Sequence, residues 1–235
     1  MDYFRFSAGF MNFLSAQLRA SPVRARVLPY VILLALTFVQ DSGGGSLRYW
    51  LYLVKMVVGL WCIKEMRAVV AEVRWAFSWE AIVVGVLVFM LWVGLDDYYP
   101  KFQFLVKAGS PWQPFKQFGE HSGMAWFFVA VRTLGSAWVV PPIEEVFYRS
   151  FLYRYLIRVD FSTMPVNQIH WRSLLVTALI FGFSHYQWLS GILCGLAYQG
   201  LVIRKNRLGD AMTAHAITNF LLAIWVVWKG AWHFW

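Results

Sequence analysis

The sequence predicts an all-α fold: a polytopic transmembrane helical bundle of about seven or eight helices, with a polar site at membrane depth. Three observations predict it. The 235 residues are 60% hydrophobic and only 14% charged, against about 25% charged in a soluble domain. Mean hydropathy is +0.53. The apolar residues form runs separated by short polar or basic connections, and few charges interrupt those runs.

The net charge of +9 does not indicate nucleic acid, because the basic residues stand at the ends of apolar runs and not on one soluble face. They read as topology determinants and lipid-headgroup contacts. The 14 Trp agree, since Trp anchors at the membrane interface. Cys62 and Cys194 lie inside apolar runs, which excludes a disulfide framework. No cleavable signal peptide is expected, because Arg19, Arg24 and Arg26 follow the early apolar patch. One membrane domain is expected over 1–235: N-terminal helices and an interfacial loop (1–122), a core (123–228) and an aromatic tail (229–235).

Taken in order, residues 1–26 read as an amphipathic, Arg-bearing surface segment. Residues 27–40 form a first span, ended by the polar loop Asp41-Ser42-Gly43-Gly44-Gly45-Ser46. Residues 48–63 form a second, with Lys55 inside it, and the charged stretch 64–76 a loop or interfacial helix. Residues 79–95 form a third. The long polar connection 96–120 reads as an interfacial cap. Residues 122–140, with Arg132, form a fourth span, and 142–157 a separate helix begun by Pro141 and Pro142. A loop containing Pro165 leads to helices over 173–187, 189–203 and 210–228. Gly191, Gly195 and Ala197 permit close packing of the middle one. The basic stretches at the N-terminus, 64–74 and 204–207 call for one side of the membrane. Counting every helix as a full span puts 204–207 on the other. Either one segment is re-entrant, 142–157 or 189–203, or the count is off by one.

The stretch Glu144-Glu145-Val146-Phe147-Tyr148-Arg149 places two carboxylates and a guanidinium in a chain built for lipid. Ionisable groups at membrane depth are costly and mark function by default. Glu145 and Arg149 are four apart and pair on one helix face, and Glu144 points about 100° away. His185, His215 and Asn219 add polar groups to the same apolar half, and the last two share a helix face. Singly, each has an ordinary reading: a hydrogen-bonded core histidine, a buried ion pair, an interhelical amide. Together they form the parts list of a hydrolytic site.

Glu144 to Arg149 is similar to the EExxxR motif of the CAAX prenyl endopeptidase and bacteriocin-processing family of intramembrane proteases. Phe181-Gly182-Phe183-Ser184-His185 resembles its FxxxH motif, and His215-Ala216-Ile217-Thr218-Asn219 its HxxxN motif. The resemblance covers roughly residues 123–228. A softer one, through Trp92-Val93-Gly94-Leu95-Asp96 and Tyr99-Pro100, points to the short branch that accompanies exosortase-type sorting systems. Where the family often has Gly after the arginine, this chain has Ser150, which bears on local helix packing.

The resemblance implies an intramembrane glutamic endopeptidase without a cofactor, cleaving near the C-terminus of a membrane-tethered protein or peptide. It implies Glu144 as the base, His185 as the group that binds water, and His215 and Asn219 as oxyanion donors, with Glu145 and Arg149 supporting them. Zinc held by Glu144, His185 and His215 ranks second, since the HExxH helix of a strong zinc site is missing. The expected partners are the lipid bilayer and an anchored substrate, with no nucleic acid. The expected place is the bacterial inner membrane. A non-enzymatic immunity or scaffold protein of the same fold, or a small proton-relaying transporter, are the competing classes. Intact motifs weigh against the former and missing repeat symmetry against the latter.

Overall fold

The computed structural model describes residues 12–101 and 112–235. The N-terminal end of the expected surface segment and much of the expected cap lie outside the described residues. Among those described, every regular element is helical and there is no strand. Helix α1 covers residues 12–19 and is mostly exposed. Then come α2 (Pro22–Ser42), α3 (Leu47–Arg67), α4 (Trp79–Gly94), the short α5 (Pro114–Phe118), α6 (Gly123–Tyr155), α7 (Trp171–Phe183), α8 (Trp188–Lys205) and α9 (Gly209–Lys229). Three of these, α2, α6 and α9, are long and apolar enough to cross a membrane, and α4 and α7 are shorter apolar helices. The chain is a helical membrane bundle.

Local chemistry sets the boundaries. Ser21 caps α2 through the Arg24 N–H, with Pro22 in the first turn. Ser78 caps α4 through the Ala81 N–H. Helix α8 ends at Asn206 and α9 at Gly230, both in the left-handed conformation that closes a helix.

The expectation that Pro141 and Pro142 end one helix and begin another is not met. Residues 123–155 form one helix of 33 residues, about 50 Å long. It survives the prolines because it widens first. Gly135–Val139 is a π turn, closed by the Val140 N–H on the Gly135 carbonyl. A wider turn relieves the clash of a proline ring with the preceding carbonyls. In the five-residue pattern the Ser136 carbonyl faces the nitrogen of Pro141, which carries no hydrogen. Asn219 Nδ2, from α9, donates to that carbonyl at 2.8 Å. A second π turn, Val146–Leu152, follows the glutamates.

Joining the two predicted segments removes one helix from the count of spans. The basic turns fall on one end of the bundle. Gly209 sits so close to that end that a Cβ would lie 2.2 Å from the Arg74 carbonyl. Lys205 reaches Glu80 at 3.0 Å. At the same end Glu72 pairs with Arg26 at 3.0 Å and Arg154 at 2.6 Å, tying α2 and the loop after α3 to the end of α6. Ser150 lies inside this network. Its hydroxyl accepts from Arg26 and Arg154 and donates to Glu72, so the departure from Gly supplies a polar hub at a site that is fully buried.

Helices α7 and α8 form a tight antiparallel pair. A Cβ on Gly182 would lie 2.7 Å from the Ile192 nitrogen, and one on Gly191 2.8 Å from the Gly182 Cα. Here small residues do allow close approach, as the sequence suggested. Helix α9 packs along α4, where a Cβ on Gly85 would lie 2.7 Å from the Ala214 carbonyl. The motif segment of α6 is enclosed by α2, α3 and α9.

Candidate active site

Helix α6 presents its two glutamates to different neighbours. Glu145 is fully buried. Its Oε1 lies 2.9 Å from His215 Nδ1 and its Oε2 3.2 Å from Arg149 Nε, one turn on. The expected Glu145–Arg149 pair is therefore present as an ion pair. The guanidinium is not aligned for a hydrogen bond there, and none of its nitrogens has a hydrogen-bond partner. Aromatic faces hold it instead: its carbon lies 4.6 Å from the Phe181 ring centre, 5.6 Å from Tyr148 and 5.7 Å from Tyr198.

Glu144 is the more open of the two carboxylates, its side chain 17% exposed against 0% for Glu145. Its Oε2 is buried without a hydrogen-bond partner and stands 3.9 Å from His215 Nε2. His215 thus lies between the glutamates. With Nδ1 as the donor to Glu145, the neutral ring turns a bare Nε2 towards Glu144. Protonated, it becomes a donor on that side.

His185 lies in the bend between α7 and α8. Its Nδ1 is 2.7 Å from the Phe181 carbonyl, which fixes the hydrogen on Nδ1 and leaves Nε2 as an acceptor. Trp92 and Phe181 pack against the ring at 5.5 and 4.6 Å. Glu144 and His215 both act electrostatically on it. Phe181 is the shared wall, 6.2 Å from the His215 ring.

Glu144, Glu145, Arg149, His185 and His215 therefore converge from three places in the fold. Asn219 is placed differently. It lies one turn beyond His215, as the spacing predicts, but its amide is aimed at the π-turn carbonyl of Ser136. Among the described residues no three His, Cys, Asp or Glu side chains are grouped to hold a metal.

Sequence reasoning missed the hydroxyls around Glu144. The Tyr30 and Tyr148 oxygens are 2.6 Å apart, and Tyr148 donates to Ser184 Oγ at 3.3 Å. Tyr148 was signalled, since it follows Glu144 by one turn. Nothing local marks Tyr30.

A carboxylate with a free oxygen and two oriented imidazoles thus meet inside a helical membrane bundle, groups of the kind a hydrolytic centre requires. Residues 121–221 match the model of the Rce1-like family, described as type II CAAX prenyl endopeptidase Rce1-like, and over this segment the chain is similar to that family. The match covers somewhat under half of the chain and holds all three motifs. It does not reach the N-terminal half, so the exosortase-associated branch is not supported by it. No curated protein and no solved structure matches. The family is one of membrane-embedded proteases acting on peptide bonds.

Proposed function

We propose that the protein is a glutamic intramembrane endopeptidase, in which Glu144 activates the water that attacks the peptide bond. The observation that supports this most is the free Glu144 oxygen, buried, without a hydrogen-bond partner, and 3.9 Å from His215 Nε2. A water placed there meets a base on one side and imidazole nitrogens on the other. Glu144 takes its proton. His185 Nε2 accepts from the same water and orients it. His215, once protonated, donates towards the developing negative charge and is held in register by Glu145, which Arg149 balances. Asn219 fixes α9 against the π turn of α6, and so sets the position of His215 relative to Glu144.

The substrate in this reading is a membrane-anchored protein or peptide cut near its C-terminus, and the bacterial inner membrane is the setting. The test is Glu144→Gln. The neutral amide keeps the shape, so the variant should retain wild-type thermal stability and lose all cleavage. Residual cleavage at the wild-type rate would end the assignment.

A further inference from the structure

The oxyanion formed when water adds to a peptide carbonyl needs hydrogen-bond donors, and Asn219 spends an amide hydrogen on Ser136. Two hydroxyls stand on the Glu144 side of α6. Tyr148 follows Glu144 by one turn, so the two side chains share a face as Glu145 and Arg149 share the next. Its oxygen lies 2.6 Å from that of Tyr30 on α2. The Tyr30 ring is immobilised by stacking on Phe147, with centres 4.0 Å apart and planes at 8°. The chain continues from Tyr148 to Ser184 at 3.3 Å and from Ser184 to the Phe181 carbonyl at 2.7 Å, the same carbonyl that orients His185.

The hydrogens in this chain have two directions. With Tyr148 donating to Ser184, Tyr30 donates to Tyr148. Turning the Tyr148 hydrogen to Tyr30 gives up only the longer, weaker bond and frees the Tyr30 hydrogen. A rigid donor beside the base, released at the cost of one weak bond, is the preorganised dipole that an oxyanion requires.

We propose that Tyr30 is a further catalytic residue: its hydroxyl, backed by Tyr148, donates to the oxygen of the scissile carbonyl as that oxygen becomes negative. Tyr30 lies outside the family-matched segment 121–221, so α2 completes the site from the part of the chain that the family model does not cover. The inference rests on the proteolytic reading above. Water adds to the carbonyl carbon while Glu144 takes its proton, and the π pair moves onto oxygen. Tyr30 hydrogen-bonds that oxygen without giving up its proton. On collapse the pair returns, the carbon–nitrogen bond breaks, and the proton on Glu144 passes to the leaving amine.

The experiment uses the full chain in proteoliposomes and a pool of acyl-anchored peptides with varied apolar C-terminal sequences, cleavage being read by mass spectrometry. Tyr30→Phe should cleave the same peptides about a hundredfold more slowly, with KM for the best-cleaved one unchanged. Affinity for the matching peptide aldehyde, whose hydrate mimics the intermediate, should fall by a similar factor. Peptide affinity measured in the Glu144→Gln background should not move, whereas a merely structural role would move it. Tyr148→Phe added to Tyr30→Phe should cost little more, because the two hydroxyls serve one bond. A Tyr30→Phe protein with wild-type turnover and aldehyde affinity overturns the inference while leaving the proteolytic reading standing. A wild-type protein that cleaves no member of the pool overturns both.

Discussion

Replacing Asn219 with Ala tests how the kinked helix of the site is held together. Pro141 denies the Ser136 carbonyl its backbone partner, and the Asn219 amide takes that place at 2.8 Å. Removing it leaves an acceptor inside a membrane bundle with nothing to bond. Leaving a buried carbonyl unsatisfied costs about 1–3 kcal/mol, more than the roughly 0.6 kcal/mol average of an interhelical side-chain hydrogen bond in a membrane protein. Asn219→Ala should therefore lose about 1–3 kcal/mol in reversible unfolding in mixed micelles. The decisive arm is Pro141→Ala. Alanine restores a backbone N–H at the position that faces Ser136, so in the Asn219→Ala background it should recover most of the loss. In the wild-type background, where the carbonyl is already bonded, it should gain little. The double-mutant cycle then shows a coupling of about 1 kcal/mol or more. Two results refute the reasoning: an Asn219→Ala protein as stable as wild type, or a loss that is the same with proline or alanine at 141. Catalysis gives a separate reading, since a donor to the oxyanion would cost about 10²–10³ in turnover with the fold intact.

Two further predictions concern buried charge. Glu145→Ala and Arg149→Ala each strand a charge that is now paired, and each should cost about 3–5 kcal/mol; Glu145→Ala should also release His215 Nδ1 and lower cleavage, and wild-type stability in both variants would refute the pairing. At the Arg-rich end, burial works to raise the Glu72 carboxyl, but Arg26, a backbone hydrogen bond and Arg154 outweigh it and hold it below the usual carboxylate range. A depressed value in the folded state makes this contribution complete above the unfolded value, about 4.3, and removes it as pH falls through the folded one. Stability should therefore drop on acidification through that window, and Glu72→Gln should flatten the drop; an unchanged pH profile in the variant would show that Glu72 does not carry it.

The fold was legible where the determinant is local. The span expected over 79–95 is observed as Trp79–Gly94 and the one expected over 210–228 as Gly209–Lys229, because apolar runs carry their own boundaries. The joined helix α6 was not legible. Two adjacent prolines are a strong local signal for a break, and the groups that overrule it are a π turn and an amide some 80 residues later. The partners of the charged loop after α3 were not legible either. Glu72 is bonded to Arg26 and Arg154, side chains that are remote in sequence and meet only when the bundle closes.

The site follows the same division. Glu145 and Arg149 meet by helix spacing, and Tyr148 sits under Glu144 for the same reason, so these relations are written within a few residues. His215 between the two carboxylates needed only the assumption that the polar groups of an apolar bundle seek one another. Which nitrogen faces which glutamate depended on the packing of α9 against α6, and so did the role of Asn219. The motif spacing places Asn219 and His215 on one face and stops there, because one helix face meets several neighbours along its length. In this chain His215 turns to the two glutamates and Asn219 to the Ser136 carbonyl. The Tyr30 hydroxyl, brought to the same side of α6 from α2, is paired with Tyr148. A shared motif therefore specifies which side chains gather, and the backbone around it decides where each of them is aimed.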